Sequence, residues 1–145
     1  MIPKRVVLLL GSIALGGCES TMPLAYVATE VTVSPRFVTP GQTIELTVTA
    51  TNWGEETVYP SNGCAPGLGF MVTRPNLEEV NPYPAAWPCA TDDTHVLEPG
   101  ETDTVLFSWT APQEIGEYVV VGGVVVGDRL WSVSAPVSFE VRAGG

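Results

Sequence analysis

Thr43-Ile44-Glu45-Leu46-Thr47-Val48-Thr49-Ala50 alternates without a break. Successive side chains of a strand point to opposite sides, so Ile44, Leu46, Val48 and Ala50 share one face, and the threonines and Glu45 share the other. A segment built this way buries one face and wets the other, and it needs a second apolar layer to cover it. Its flanks are punctuated. Thr39-Pro40-Gly41-Gln42 precedes it as a turn, with proline presetting φ and glycine free to take a positive φ. Asn52-Trp53-Gly54-Glu55 then turns the chain into Thr57-Val58-Tyr59.

The same grammar extends in both directions. Glu30-Val31-Thr32-Val33 is a short alternating strand ended by Ser34-Pro35. Residues 68–73 form a strand with Phe70 and Val72 on one face, and residues 74–93, rich in proline and asparagine, form an irregular loop. A second proline–glycine turn, Glu98-Pro99-Gly100-Glu101, leads into a strand over residues 102–109 with Val105, Phe107 and Trp109 on one side. Residues 119–126 are the most apolar run, and an apolar strand of this kind is aggregation-prone at an edge, so it is expected at the centre of a sheet. Gly127-Asp128 is a hairpin signal. The last strand is expected over residues 130–141, with Val133, Ala135, Val137, Phe139 and Val141 in register. About seven strands with no amphipathic helix imply an antiparallel β-sandwich.

Composition narrows the function. The 145 residues carry 16 Asp plus Glu against 6 Lys plus Arg. Setting aside Lys4 and Arg5 leaves four arginines and no lysine against those 16 acids, a net charge of −12. That surface repels phosphate backbones and excludes nucleic acid as a partner. A 45% hydrophobic content and a mean hydropathy of +0.23 exclude a disordered chain.

The N-terminus reads as an address. Lys4 and Arg5 precede an apolar run over residues 6–15, too short for a permanent membrane span, and Gly16-Gly17 leads directly to Cys18. Leu15-Gly16-Gly17-Cys18 resembles the lipobox of bacterial lipoproteins. The resemblance implies a signal peptide over residues 1–17 and a Cys18 that becomes the new N-terminus and carries a diacylglyceryl group on its thiol, two or three acyl chains in all, palmitate among them. Residues 18–29 would then be lipidated cysteine and tether, and residues 30–142 the sandwich. Two or three acyl chains anchor well, each buried CH₂ contributing roughly 0.8 kcal/mol. Glu19 stands where an aspartate retains Gram-negative lipoproteins in the inner membrane, so the expected place is the cell envelope, on the periplasmic side of the outer membrane if the organism has one.

Within the sandwich, the strand Ile44-Glu45-Leu46-Thr47-Val48-Thr49-Ala50-Thr51-Asn52, the turn Leu97-Glu98-Pro99-Gly100-Glu101-Thr102, Phe107-Ser108-Trp109 and Gly116-Glu117-Tyr118-Val119-Val120 resemble immunoglobulin-like sandwiches. More narrowly, they resemble the BsuPI-type intracellular proteinase inhibitor domain. That resemblance implies inhibition of a protease through an exposed loop, about residues 76–88. The chain departs from the intracellular family in carrying Cys64 and Cys89.

Candidates for chemistry are few. Cys64 and Cys89 are the thiols left once Cys18 is anchored, and beyond the inner membrane they are expected to form one disulfide. A ring of about 26 residues is worth roughly 3–4 kcal/mol in the chain-entropy model. The one histidine, His95, follows Asp92 and Asp93 but has no Gly-x-Ser-x-Gly elbow and no metal-spaced partner, so it reads as a surface residue. Asp92, Asp93, Glu98, Glu101 and Asp103 lack an Asp-x-Asp-x-Asp-Gly loop and read as solvated charges, so no metal and no cofactor is expected. Among the aromatics, Trp109 is expected in the core with Phe107, and Trp53 and Trp131 in loop packing. Tyr83 and Trp87, set among prolines, are expected to be the exposed partner-binding pair. Tyr118 after Gly116 resembles a tyrosine corner, a structural lock. With no catalytic set, the expected function is a non-enzymatic, membrane-anchored binding or adaptor lipoprotein. Proteinase inhibition is the alternative.

Overall fold

The computed structural model describes residues 26–58, 67–80, 97–126 and 129–145. The described strands are β1 (Val27–Ser34), β2 (Phe37–Val38), β3 (Thr43–Asn52), β4 (Leu68–Thr73), β5 (Thr102–Thr110), β6 (Gly116–Val126), β7 (Arg129–Trp131) and β8 (Val137–Val141). One sheet runs β1-β3-β5, all antiparallel, and the other runs β2-β8-β6-β4, with β7 also pairing β6. The first strand is split between the sheets: β1 pairs β3, and after Ser34-Pro35 the chain crosses so that β2 pairs β8 in parallel. The result is an all-β, immunoglobulin-like sandwich.

The alternation of residues 43–50 is realised in β3, where Ile44, Leu46, Val48 and Ala50 are fully buried. Their neighbours Thr49 and Thr51 face outward and bond Thr104 and Thr102 of β5 at 3.1 and 2.9 Å through their hydroxyls. Both proline–glycine turns form as read. Gly41 and Gly100 take φ of 77° and 79°, and each turn closes with a hydrogen bond from the fourth residue to the first carbonyl, Gln42 to Thr39 and Glu101 to Glu98. The apolar β6 is central, bonded to β4 on one side and to β7 and β8 on the other.

The sheets meet through aromatic rings. Trp109 from β5 stands edge-on to Phe139 of β8 at 6.2 Å, and Phe107 contacts Phe70 of β4 at 5.1 Å. Phe139 stacks on Tyr118 at 5.4 Å. Such pairs contribute about 0.5–1.5 kcal/mol each beyond area burial. At the centre Gly122 leaves room for the side chains of the facing sheet, since a Cβ there would stand 3.0 Å from the Val48 side chain and 3.2 Å from that of Val31, which is why β6 carries glycine there.

The last strand is broken where a single one is expected. Residues 130–141 are not a single strand: β7 ends at Trp131 and β8 starts at Val137. Ser132 takes φ of 50°, Val133 is 53% exposed, and Ala135 is exposed rather than in register. Ser134 keeps β6 satisfied across the break, since its amide donates to Gly122 O at 2.8 Å and its hydroxyl accepts from the Gly122 amide at 2.9 Å. Pro136, which has no N–H for a ladder, sits between the two pieces.

The registers give the sandwich two distinct ends. Tyr26 enters at one end, where Val27 opposes Asn52 and Thr51 opposes Thr102. The turns at residues 39–42, 74–80 and 111–115 and the C-terminal residues lie at the other.

Candidate interaction surfaces

The far end is built around a hairpin turn. Arg74-Pro75-Asn76-Leu77 closes with the Leu77 amide donating to Arg74 O at 2.9 Å. The Asn76 side chain accepts from the Glu78 amide at 3.1 Å, and the Val80 amide returns to Val72 O at 2.9 Å. Leu77 follows the turn at φ 69°, a position where glycine is the default because a Cβ crowds the next carbonyl. A leucine there costs roughly 1–2 kcal/mol. Yet its side chain is 81% exposed, so no burial offsets the strain.

Arg74 braces this turn against its neighbour. Its guanidinium pairs with Glu114 and lies 3.9 Å from Glu78, and its centre is 5.5 Å from the Tyr118 ring centroid. Tyr118 is fully buried and its hydroxyl donates to Glu114 O at 2.8 Å, which is the tyrosine corner read from the sequence. Ile115, next in the chain, is 60% exposed. Two aliphatic side chains, Leu77 and Ile115, are therefore presented on turns fixed to each other by an ion pair and a buried phenol.

Beside them, Arg36, Phe37, Glu117, Ser138, Phe139 and Glu140 line an open depression of about 440 Å³ on the outer face of the β2-β8-β6 sheet. Arg142 donates to Glu140 at 2.9 Å and covers the Phe37 ring at 3.7 Å. That hydrogen bond holds the Glu140 carboxyl below the usual glutamate value and raises the Arg142 pKa. The pair is solvent-exposed and contributes little to stability.

The entry end is organised by Asn52. It continues the buried phase of β3 and is fully buried, with its side-chain amide donating to Glu56 O at 2.8 Å and Leu97 O at 3.0 Å and its carbonyl accepting from the Gly54 amide at 2.9 Å. One residue on, Trp53 is 73% exposed, which corrects the expectation that it packs into a loop. Its amide donates to Tyr26 O at 2.9 Å, and Tyr26 is 59% exposed. The phase change at Asn52 is the sequence signal for this arrangement: an asparagine in the buried register must be capping something, and the residue after it must point out.

The other candidates divide as follows. Cys18, Cys64, Cys89, Tyr83, Trp87, Asp92, Asp93 and His95 lie outside the described residues. Trp109 is part of the core periphery, as expected, and Trp131 is half-buried. Glu101 is not a bystander, since its carboxylate accepts from the Glu98 amide at 2.8 Å and fastens the turn. Asp103 is half-buried on the inner face of β5, opposite Ala50, rather than solvated. Among the described residues no group of three or more His, Cys, Asp or Glu lies close enough to hold a metal ion.

No family model matches the chain, and no curated protein matches it. Solved structures do. A CARDB domain from Pyrococcus furiosus, determined by solution NMR, is 22% identical with a TM-score of 0.46, over 81% of this chain and 94% of that one. A crystal structure of that CARDB domain in complex with di-metal ions gives 20% and 0.45, over 81% and 87%. A β-glucosidase from Listeria innocua in complex with glucose gives 17% and 0.43, over 82% of this chain but 16% of the enzyme. The metal ions and the glucose belong to those proteins.

Proposed function

We propose that this chain is a lipid-anchored, non-enzymatic binding or adaptor domain of the bacterial cell envelope, tethered through Cys18 and engaging a protein partner through its far end. The observation that carries the reading is Leu77: a left-handed, strained, exposed leucine on a turn braced by Arg74. Strain kept without burial is characteristic of contact sites. Leu77 and Ile115 supply an apolar anchor, and Arg74, Glu78 and Glu114 a polar rim, the usual division in an interface. The anchor part of the reading rests on Leu15-Gly16-Gly17-Cys18 and the apolar run before it.

The test is crosslinking and capture of the full-length protein from the membranes of its own host, compared with Leu77→Asp and Ile115→Asp. A discrete partner recovered with the wild type and lost with both variants supports the reading. Recovery of the protein alone, or of the same partner with the double variant, overturns it. Proteinase inhibition is the second reading, and Leu77 favours it too, because it lies near the start of the loop over residues 76–88 and a rigid, exposed side chain is what a protease cleft accepts. The absence of inhibition at micromolar protein across serine and metalloprotease panels removes it.

A further inference from the structure

The entry end carries the two most exposed aromatic rings among the tyrosines and tryptophans of the described residues, Trp53 at 73% and Tyr26 at 59%. They are adjacent. The Trp53 amide bonds Tyr26 O, and a Cβ on Gly54 would stand 3.0 Å from the Tyr26 Cβ. Their platform is rigid, because Trp53 is flanked by the buried Asn52 and by Gly54, whose amide Asn52 holds. The far end exposes Leu77 and Ile115, and its one exposed ring among the described residues, Phe37, has no polar tip and lies under the Arg142 guanidinium at 3.7 Å. Tryptophan and tyrosine are the side chains whose apolar body and polar tip suit the boundary between lipid and water.

We infer that Tyr26 and Trp53 rest on the headgroup layer of the membrane, so that the sandwich stands on its entry end. This deepens the anchor reading and rests on it. Chain length decides which end can touch. Residues 19–25 separate Cys18 from Tyr26, and even fully extended the eight steps between them span at most about 28 Å. The ten residues of β3 span about 33 Å from one end of the domain to the other. The entry end is therefore held at the surface, and the turn at residues 74–80 faces away from it. Charge selects the lipid. Glu55 and Glu56 follow Trp53, and Glu98 and Glu101 lie in the turn bonded to Asn52, so the contact is with zwitterionic rather than anionic headgroups.

The test uses the lipidated full-length protein in phosphatidylcholine vesicles whose acyl chains carry bromine near the headgroup. The emission of Trp53 is obtained by subtracting that of Trp53→Phe. The expected result is quenching of the Trp53 emission by about twofold or more, weakened when phosphatidylglycerol replaces half of the lipid. A lipidated, vesicle-bound protein whose Trp53 emission is unquenched overturns this inference and leaves the anchor standing. A protein whose mass shows no lipid on Cys18 overturns both.

Discussion

Replacing Asn52 by alanine isolates the residue that ties the entry end together. The side chain makes three hydrogen bonds, to Glu56 O, Leu97 O and the Gly54 amide, from a fully buried position. At about 1 kcal/mol each the loss is about 3 kcal/mol. Leu97 O keeps a bond from the Val58 amide at 2.9 Å, so the added penalty of stranded groups falls on Glu56 O and the Gly54 amide alone. For a domain of this size about 3 kcal/mol lowers the melting temperature by about 12 °C. Urea unfolding should show a lower midpoint with an unchanged slope. Asn52→Asp separates the donor role of the side chain from its acceptor role. It keeps the acceptor for Gly54 but sets a carboxylate against two carbonyl oxygens, so at pH 7 it should be less stable than the alanine variant. Because the fold then favours the protonated acid, its deficit should shrink as pH falls from 7 to 4. An Asn52→Ala protein within about 1 kcal/mol of wild type would refute the capping role.

Leu77→Gly relieves about 1–2 kcal/mol of left-handed strain and returns about 0.5–1 of it as unfolded-state entropy, so thermal unfolding should rise by a few degrees while partner capture is lost. Tyr118→Phe removes only the hydroxyl bonded to Glu114 O and should cost about 1 kcal/mol in urea titration, with the fold intact by near-UV circular dichroism. Gly122→Ala pushes a methyl into Val48 and Val31 and should destabilise by about 1–3 kcal/mol in the same assay. If Cys64 and Cys89 are bridged, reduction should lower stability by about 3 kcal/mol, and the Cys64→Ser, Cys89→Ser protein should no longer respond to reductant.

What the sequence made legible was whatever repeats with period two or uses forced turn chemistry. The faces of β3 and β5, the central place of β6, the glycines at 41 and 100 and the Tyr118 corner all follow from local rules. The break between β7 and β8 was hidden because Val133 and Ala135 hold the phase of Val137, so the pattern runs straight through a stretch that bends out. Pro136 was the one local sign against it. The surfaces were harder. Leu77 reads as an ordinary loop residue, since only the backbone reveals that it occupies a glycine position. Trp53 looked like packing because aromatics usually bury. Its exposure depends on Asn52, whose three partners come from segments up to 45 residues away. Partners of that kind are set by the closed sandwich and leave no periodic mark.

The most direct measurement is the intact mass of the protein extracted from the membranes in which it is made. The expected product starts at Cys18 and carries the mass of a diacylglyceryl group, with or without a further acyl chain. A chain that retains residues 1–17 and a free Cys18 thiol would contradict it, and with it the tether, the orientation and the expected envelope partner.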